Sequence, residues 1–282
     1  MWTLEPSPMI HASNKTSLLR TQGHLTHALR SWFFERGYLE VYTPIMVTSP
    51  ALEEHLEAIQ IPDDLWLHTS PEFGMKKLLG EGLCRIYQIT SCFRKEEIGV
   101  HHRTEFRMLE WYRAGASWWD LANETIDLIQ TLAQHVHQPI GDFEWIPTQD
   151  LLPLNLEPEE WFYRWVDEIE PQLPEACIVY DYPAWQAALA RRRHNVAERF
   201  EVYIQGVELA NAFDEEGNSA EIHQRWMHSN HIRLEMGKTP YPIDEQFLRA
   251  NQKMPRCSGI AMGIDRLFML LTNQDSIHDL VL

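Results

Sequence analysis

The alternation of hydrophobic and polar positions is clearest over residues 86–113, where it predicts two β-strands joined by a polar loop. On the second strand Phe106, Met108, Glu110 and Tyr112 share one face, because side chains two residues apart point to the same side of a strand. Burying a carboxylate among aromatic side chains is costly unless a cation meets it. The periodicity alone is also that of an amphipathic hairpin with a solvated tip, so it is the residue types that indicate a site.

Helical and strand-like periodicities alternate along the rest of the chain. Gly37 is placed to end a helix, and Pro44 cannot donate to a strand ladder. Ser70 and Pro71 suit the start of another helix, with Glu72 in its first turn. The predicted elements are a helix over 17–37, a strand over 38–44, a hairpin over 58–69, a helix from residue 71, helices over 117–137 and 220–237, two strands within 197–216 that turn at Gln205-Gly206, and a strand that runs into a helix over 257–271.

Length and composition predict one globular domain, or one domain with an insertion. The chain has 282 residues, of which 44% are hydrophobic, and this is enough for a large core. Its formal net charge of −17 argues against a nucleic-acid partner, since phosphate binding relies on clusters of Lys and Arg and none stands out. Residues 139–176 are rich in proline, acidic and aromatic side chains, and we expect a partly helical insertion there. Its acidic helix is typical of a solvated face, and a protein-docking role is the alternative.

The sequence lacks the patterns of a membrane span, an export signal or a cysteine-based site. It contains no run of about 18 apolar residues, and residues 1–8 lack the basic and apolar regions of a signal peptide. The four cysteines show no CxxC spacing, so neither a zinc site nor a disulfide framework is predicted; they are Cys84, Cys92, Cys177 and Cys257. We therefore expect a cytoplasmic protein.

Two acidic residues, Glu208 and Glu215, lie in or beside the predicted strand after Gly206. Magnesium favours one or two carboxylates together with phosphate oxygens. Strict alternation puts these two side chains on opposite faces of the strand. Both can reach one metal–phosphate cluster only if the strand bulges or ends near residues 211–214, which is a structural prediction in its own right.

The hairpin over 86–113 resembles motif 2 of the class II aminoacyl-tRNA synthetases, through Phe93-Arg94-Lys95-Glu96, the polar loop and Glu105-Phe106. The resemblance implies that Arg94 binds the α-phosphate of ATP and the substrate carboxylate, and that Phe106 stacks on adenine. It also implies ATP contacts from Lys95, Glu96, His102 and Arg103. The segment Glu110-Trp111-Tyr112 resembles the lysyl branch in particular, which implies that Glu110 and Tyr112 receive the ammonium group of the substrate.

Three further segments extend this resemblance. Gly263-Ile264-Asp265-Arg266, followed by an apolar helix, resembles motif 3 and implies that Arg266 binds the γ-phosphate and that Gly263 lies against ATP. Ser70 and Glu72 resemble the residues that hold the α-amino group of the amino acid. Residues 206–215 resemble the metal- and lysine-binding strand. This implies ATP contacts from Glu208 and Leu209, magnesium ligands in Glu208 and Glu215, and amino-acid contacts from Asn211 and Glu215.

Together these motifs imply an α+β fold, with a class II synthetase-like antiparallel sheet flanked by helices, over roughly residues 15–275. Residues 17–44 resemble motif 1, the element that forms the dimer, and this supports a homodimer. The sequence is closer to the ligases that attach (R)-β-lysine to elongation factor P than to lysyl-tRNA synthetases. Too few residues precede motif 1 to hold an anticodon-binding domain, and Ala261 stands where synthetases place Gly.

The resemblance therefore implies an amino acid–protein ligase that forms AMP and pyrophosphate. It would use ATP and Mg²⁺ to activate lysine or (R)-β-lysine and pass it to a lysine side chain of elongation factor P, without tRNA. The chain departs from the ligase pattern at Lys95, at Arg103-Thr104 and at Phe73-Gly74. The alternatives are a truncated lysyl-tRNA synthetase-like enzyme, another amino-acid ligase, and a non-catalytic regulatory paralogue.

Overall fold

The computed structural model of the chain describes residues 15–280, and a nine-stranded sheet forms the frame of that part. The helices in chain order are α1 (Lys15–Glu35), α2 (Glu72–Gly80), α3 (Trp118–His135), α4 (Pro158–Arg164), α5 (Ser219–Glu235), α6 (Glu245–Asn251) and α7 (Ile264–Leu271). The strands are β1 (Leu39–Glu40), β2 (Met46–Val47), β3 (Gln60–Ile61), β4 (Leu65–Leu67), β5 (Arg85–Phe93), β6 (Glu105–Ala114), β7 (Glu144–Pro147), β8 (Ala176–Pro183), β9 (Arg192–Arg193), β10 (Val196–Ile204), β11 (Val207–Asp214) and β12 (Cys257–Gly263).

The large sheet is antiparallel through its centre, which confirms the predicted fold class. Its spatial order is β1-β5-β6-β12-β11-β10-β8-β7, with β9 paired to β10. Only the outermost pairs, β1 with β5 and β7 with β8, run parallel. The strands that carry the predicted motifs, β6, β11 and β12, are therefore adjacent although they are far apart in the chain.

One face of this sheet is covered by α1, α3 and α7 and holds the main hydrophobic core. Leu109 and Trp111 point into that core, and alternation directs Met108, Glu110 and Tyr112 to the opposite face. Phe33 of α1 packs between strands and helices, with its ring stacked 4.3 Å from that of Tyr87. The large apolar side chains thus occupy the face that the helices cover, and a site can form only on the opposite face.

The opposite face is covered at its end by α2, which packs Met75 and Leu79 against Ile86 and Tyr112 of the sheet. The helices α5 and α6 form a separate apolar cluster around Trp226. A small second sheet, in the order β2-β4-β3, lies in the segment before α2. Between these elements the central strands keep an uncovered polar surface, which is the site described below.

Most predicted elements occur within a residue or two of their expected ends. The α1 helix ends as predicted, because Gly37 has φ of +72° and the amide of Tyr38 donates to the carbonyl of Phe33. The predicted turn at Gln205-Gly206 has positive φ at both residues, as a two-residue hairpin requires. Ser117 caps α3 with its side chain.

The strand predicted over 38–44 is shorter than expected. Only Leu39–Glu40 pairs with β5, followed by one hydrogen bond from the amide of Val41 to the carbonyl of Tyr87. The chain then leaves the edge of the sheet before Pro44 and forms β2 in the second sheet. The alternation of residues predicts an extended backbone here, but it does not predict how many of these residues pair with a neighbouring strand.

The acidic segment 139–176 is partly helical, as predicted, but it also adds β7 to one edge of the large sheet. Its helix α4 continues into a π-helical turn, Trp165–Ile169. Trp161 and Trp165 of this region pack on Tyr182 and Tyr203 of the sheet. That this segment is an insertion in a single domain stays a prediction.

The prediction that residues 1–8 are not a signal peptide lies outside the described residues. Within residues 15–280, none of the helices combines the length and the apolar character that crossing a bilayer requires.

Candidate active site

A cavity of about 100 Å³ opens on the polar face of the sheet, between the sheet and α2. Its wall brings together segments that are up to 211 positions apart, from Pro50 to Ala261. All six residues predicted to bind the amino acid line this cavity, together with the predicted phosphate-binding arginine: Ser70, Glu72, Glu110, Tyr112, Asn211, Glu215 and Arg94.

The register of three adjacent strands explains why these residues meet. Ala261 of β12 lies directly opposite Glu110 of β6 on one side and Asn211 of β11 on the other. The next row places Gly259 beside Tyr112. A Cβ atom at position 259 would lie 2.2 Å from the Tyr112 ring, so only glycine leaves room for the tyrosine here.

Glu110 is the most confined carboxylate of the cavity, with 1% of its surface exposed. It accepts hydrogen bonds from the hydroxyl of Ser70 at 2.5 Å and from that of Tyr112 at 2.6 Å. Burial, with the negative charge of Glu72 second, raises the pKa of Glu110 to about 8. Two hydroxyl donors do not replace the counter-ion, so an ammonium group is the ligand that this carboxylate lacks.

Lys76 is a site residue that we did not predict. Its ammonium lies 2.6 Å from Glu72 and 2.6 Å from Glu215, and 1% of the side chain is exposed. The spacing of four residues between Glu72 and Lys76 is the pattern of an ion pair along a helix, and this pattern was available in the sequence. The contact with Glu215 was not, because it depends on how α2 packs against the end of β11.

Arg94 extends the cavity towards the predicted nucleotide site. Its guanidinium lies 5.1 Å from the centre of the Phe106 ring and 3.1 Å from Glu97. The Nε atom is buried and has no hydrogen-bond partner among the described residues. A buried donor without a partner is costly, and an anionic group beside it would satisfy it.

Arg266 lies in the first turn of α7 and is held by three contacts. It donates to the carbonyl of Glu208 at 2.8 Å and to that of His101 at 3.1 Å, and it lies 2.7 Å from Nε2 of His102. Burial and then the charge of Arg266 lower the pKa of His102. The motif 2 loop and the motif 3 helix therefore meet at Arg266, as the resemblance implies.

The two arginines act on one carboxylate without lining one cavity. Arg94 lines the cavity that contains Glu110, and Arg266 lies outside its wall. Burial and the neighbouring Glu201 raise the pKa of Glu208 to about 7, and the charges of Arg266, Arg199 and Arg94 oppose that rise. The positive charges of both arginines thus act on the carboxylate of Glu208.

β11 does contain a bulge, but it lies at residue 209, before the residues 211–214 where we predicted a bulge or the strand end. Ala210 pairs with Val202 and Glu208 pairs with Tyr203, so Leu209 is the extra residue between them. The side chain of Leu209 is buried with the main core, which leaves only its backbone for the predicted ATP contact. The bulge returns Glu208 and Glu215 to the same face of the sheet.

That these two carboxylates share one metal ion stays a prediction. Their backbone positions lie well apart, since seven residues of extended strand span about 23 Å at about 3.3 Å per residue. Glu215 pairs with Lys76. Within residues 15–280, no group of three or more His, Cys, Asp or Glu side chains is arranged to hold a metal ion.

The remaining predicted ATP contacts lie around the loop between β5 and β6 or at the start of α7. Lys95 and Glu96 are exposed, and Arg103 is half-buried. Gly263 lies directly before α7, with the side chain of Arg266 beside it. The contacts of these four residues with ATP stay predictions.

Comparison with known proteins agrees with the motifs. Residues 9–282 match the family described as tRNA synthetases class II (D, K and N). A protein of Aquifex aeolicus (strain VF5) is named elongation factor P–(R)-beta-lysine ligase homolog. It is 35% identical to this chain, in an alignment that covers 92% of this chain and 97% of that protein. The elongation factor P–(R)-beta-lysine ligase of Vibrio vulnificus (strain YJ016) is 38% identical over 89% of this chain and 90% of its own length. That of Proteus mirabilis (strain HI4320) is 36% identical over 90% of each chain.

Proposed function

Because this chain belongs to the family of class II tRNA synthetases (D, K and N), we propose that it uses ATP to activate lysine or (R)-β-lysine and transfers it to a lysine side chain of elongation factor P. The observation that carries the proposal is the buried carboxylate Glu110, which lines one cavity together with Arg94. A cavity lined by carboxylates together with an arginine suits an amino acid that carries both an ammonium side chain and a carboxylate.

The amino acid binds with its ammonium groups among the carboxylates. Glu110 accepts one ammonium group, and the hydroxyls of Ser70 and Tyr112 keep this carboxylate in place. The substrate carboxylate then lies towards Arg94, whose unpartnered Nε donates to it or to the α-phosphate. This orientation follows the arrangement of charge in the cavity.

In the first step, an oxygen of the substrate carboxylate attacks the α-phosphorus of ATP, and the bond from that phosphorus to the bridging oxygen of pyrophosphate breaks. The products are aminoacyl-adenylate and pyrophosphate. Such a displacement depends on positioning and on neutralisation of charge more than on proton transfer. Arg94 stabilises the α-phosphate, Arg266 the γ-phosphate, and Phe106 stacks on adenine.

In the second step, the neutral amine of the acceptor lysine attacks the acyl carbon of the adenylate. An amide bond forms, the bond to the phosphate oxygen breaks, and AMP leaves with its electron pair. The proton lost by the amine passes to solvent or to the departing phosphate. The chain's contribution to this step is to hold the adenylate still while the acceptor amine approaches.

Magnesium fits Glu208 better than Glu215. The raised pKa of Glu208 reflects burial and the nearby Glu201, and both make added positive charge favourable. Glu208 together with phosphate oxygens would hold the ion, which neutralises phosphate charge when it is bound.

We also propose that the enzyme is a homodimer that uses the surface around the end of α1 and β1. Large apolar side chains are exposed there: Phe34 (81%), Leu39 (52%), Tyr42 (77%), Ile45 (40%) and Met46 (60%). Contiguous apolar surface of this kind is typical of an interaction site. Sedimentation of the wild type and of the Tyr42→Asp variant tests the proposal, because only the variant should behave as a monomer.

ATP–pyrophosphate exchange with α-lysine, (R)-β-lysine and neutral amino acids tests the activation step. Arg94→Ala should slow exchange by roughly 10²–10³-fold, as expected when a preorganised charge that stabilises the transition state is removed. Arg85→Ala, at the exposed start of β5, the strand that ends just before Arg94, is the matched control and should exchange at the wild-type rate. Near wild-type exchange by Arg94→Ala would contradict the proposed role of this arginine.

The acceptor is tested separately by mass spectrometry. Wild-type enzyme with ATP and the activated amino acid should add one aminoacyl mass to elongation factor P and leave lysine tRNA uncharged. Charging of tRNA without modification of elongation factor P would instead favour the tRNA synthetase-like alternative.

A further inference from the structure

Lys76 is a buried cation beside the carboxylate cluster of the cavity, and the proposed mechanism does not use it. Glu72, Glu110 and Glu215 all act on the ring hydroxyl of Tyr112, which places them in one cluster. They come from three separate elements: α2, β6 and the end of β11. Lys76 lies behind this cluster, 5.9 Å from the centre of the Tyr112 ring.

Lys76 pairs with one oxygen of each neighbouring carboxylate. The ammonium lies 2.6 Å from Oε1 of Glu72 and 2.6 Å from Oε2 of Glu215. The other oxygen of Glu215, Oε1, lies over Gly259 on the floor of the cavity, 2.4 Å from where a Cβ would stand. Lys76 therefore turns one oxygen of Glu215 towards the substrate by holding the other.

The charges of the cluster also match the substrate class. When all three carboxylates are ionised, they and the ammonium of Lys76 leave two formal negative charges, and an amino acid with an amino group in its side chain brings two ammonium groups. Glu72 and Glu215 would repel one another if Lys76 were absent, because like charges that are close together and partly or fully removed from water destabilise each other without a counter-ion. Loss of the lysine would thus change both the charge and the direction of these side chains.

We propose that Lys76 is a positioning residue that sets the geometry and net charge of the amino-acid cavity, and so its selectivity for diamino acids. The inference rests on the proposed function, since it assumes that the cavity binds the amino acid. Lys76 itself touches neither ATP nor the reacting atoms. It acts through Glu72 and Glu215.

Pyrophosphate exchange with separate titrations of amino acid and ATP tests the inference. Lys76→Met keeps most of the apolar volume of the side chain and removes the charge. Its KM for lysine should rise at least tenfold, and its KM for ATP should stay within about twofold of the wild type. Lys76→Arg, which keeps a cation at this position, should recover most of the lost affinity for lysine. Lys77→Met is the matched control on the next position of α2, where the lysine pairs with Asp244 away from the cavity.

Chemical rescue separates positioning from a purely structural role. Lys76→Ala removes three methylene groups and the ammonium, which together correspond to propylammonium. Added propylammonium should lower the KM for lysine of this variant, and 1-propanol at the same concentration, which fills the space without charge, should not. If Lys76→Ala does not fold, the comparison of Lys76→Met with Lys76→Arg decides the matter alone.

Three results would overturn the inference: a KM for lysine in Lys76→Met within twofold of the wild type, equal rises in both KM values, or equal rescue by propanol. Failure of the proposed function is a different result. In that case wild-type protein would catalyse no exchange with any amino acid of the panel.

Discussion

Replacement of Gly259 by alanine should close the amino-acid cavity from its floor. The added Cβ would lie 2.2 Å from Cε1 of Tyr112 and 2.4 Å from Oε1 of Glu215, whereas ordinary contacts begin at 3.4 Å. The ring would have to move by the difference, about 1.2 Å. Tyr112 is 2% exposed and donates to Glu110 at 2.6 Å, so it cannot move without loss of this hydrogen bond.

The cost follows from these two effects. Overpacking of a well-filled interior costs roughly 1–3 kcal/mol, and a hydrogen bond to a charged group contributes about 1.5–3 kcal/mol. If roughly 2–4 kcal/mol of this cost appears in binding, the KM for lysine should rise by about 30- to 1000-fold, since 1.4 kcal/mol is a factor of ten. The KM for ATP should change little, because Arg94, Phe106 and Arg266 do not contact position 259.

Pyrophosphate exchange with separate titrations of lysine and ATP measures the two KM values. Circular dichroism checks that the variant is folded. Gly141→Ala is the control, because a Cβ at that glycine would meet nothing within 4 Å. A folded Gly259→Ala protein whose KM for lysine lies within about threefold of the wild type would refute the placement of the amino acid over Gly259.

Three further predictions concern pH and stability. Burial raises the pKa of Glu110 to about 8, so the free protein holds a proton on this carboxyl group below that pH, and an ammonium ligand must displace the proton. The affinity for lysine, measured by calorimetry, should therefore fall about tenfold per pH unit below pH 8. An affinity that does not change from pH 6 to 8 would contradict the role of Glu110. Gly23→Ala, on the exposed side of α1 with open space at the new Cβ, should stabilise the protein by about 0.5–1 kcal/mol in urea denaturation, and a loss of stability would contradict the assigned environment. Ser117→Ala removes the side-chain cap of α3 and should destabilise it by about 1 kcal/mol in the same assay, where an unchanged midpoint would show that the cap contributes nothing.

Local pattern was sufficient wherever one element decides the structure. The face of β6 that carries Met108, Glu110 and Tyr112 follows from alternation, because strand side chains reverse direction at each residue. The end of α1 at Gly37 and the turn at Gln205-Gly206 follow from the freedom of glycine to adopt positive φ. The arginines and carboxylates of the site came from the resemblance to the family motifs, and all six predicted amino-acid contacts line one cavity.

What the sequence determined by itself was therefore the type of each element, the family and the side chains that could carry the chemistry. Tertiary structure decided which of them meet. The pairing of Lys76 with Glu215 requires α2 to pack at the end of β11, and the bulge at Leu209 depends on the register between β10 and β11. The separation of Glu208 from Glu215 depends on β11 remaining extended between them. Contacts between distant segments arise only when the sheet order is set, and no local periodicity encodes that order.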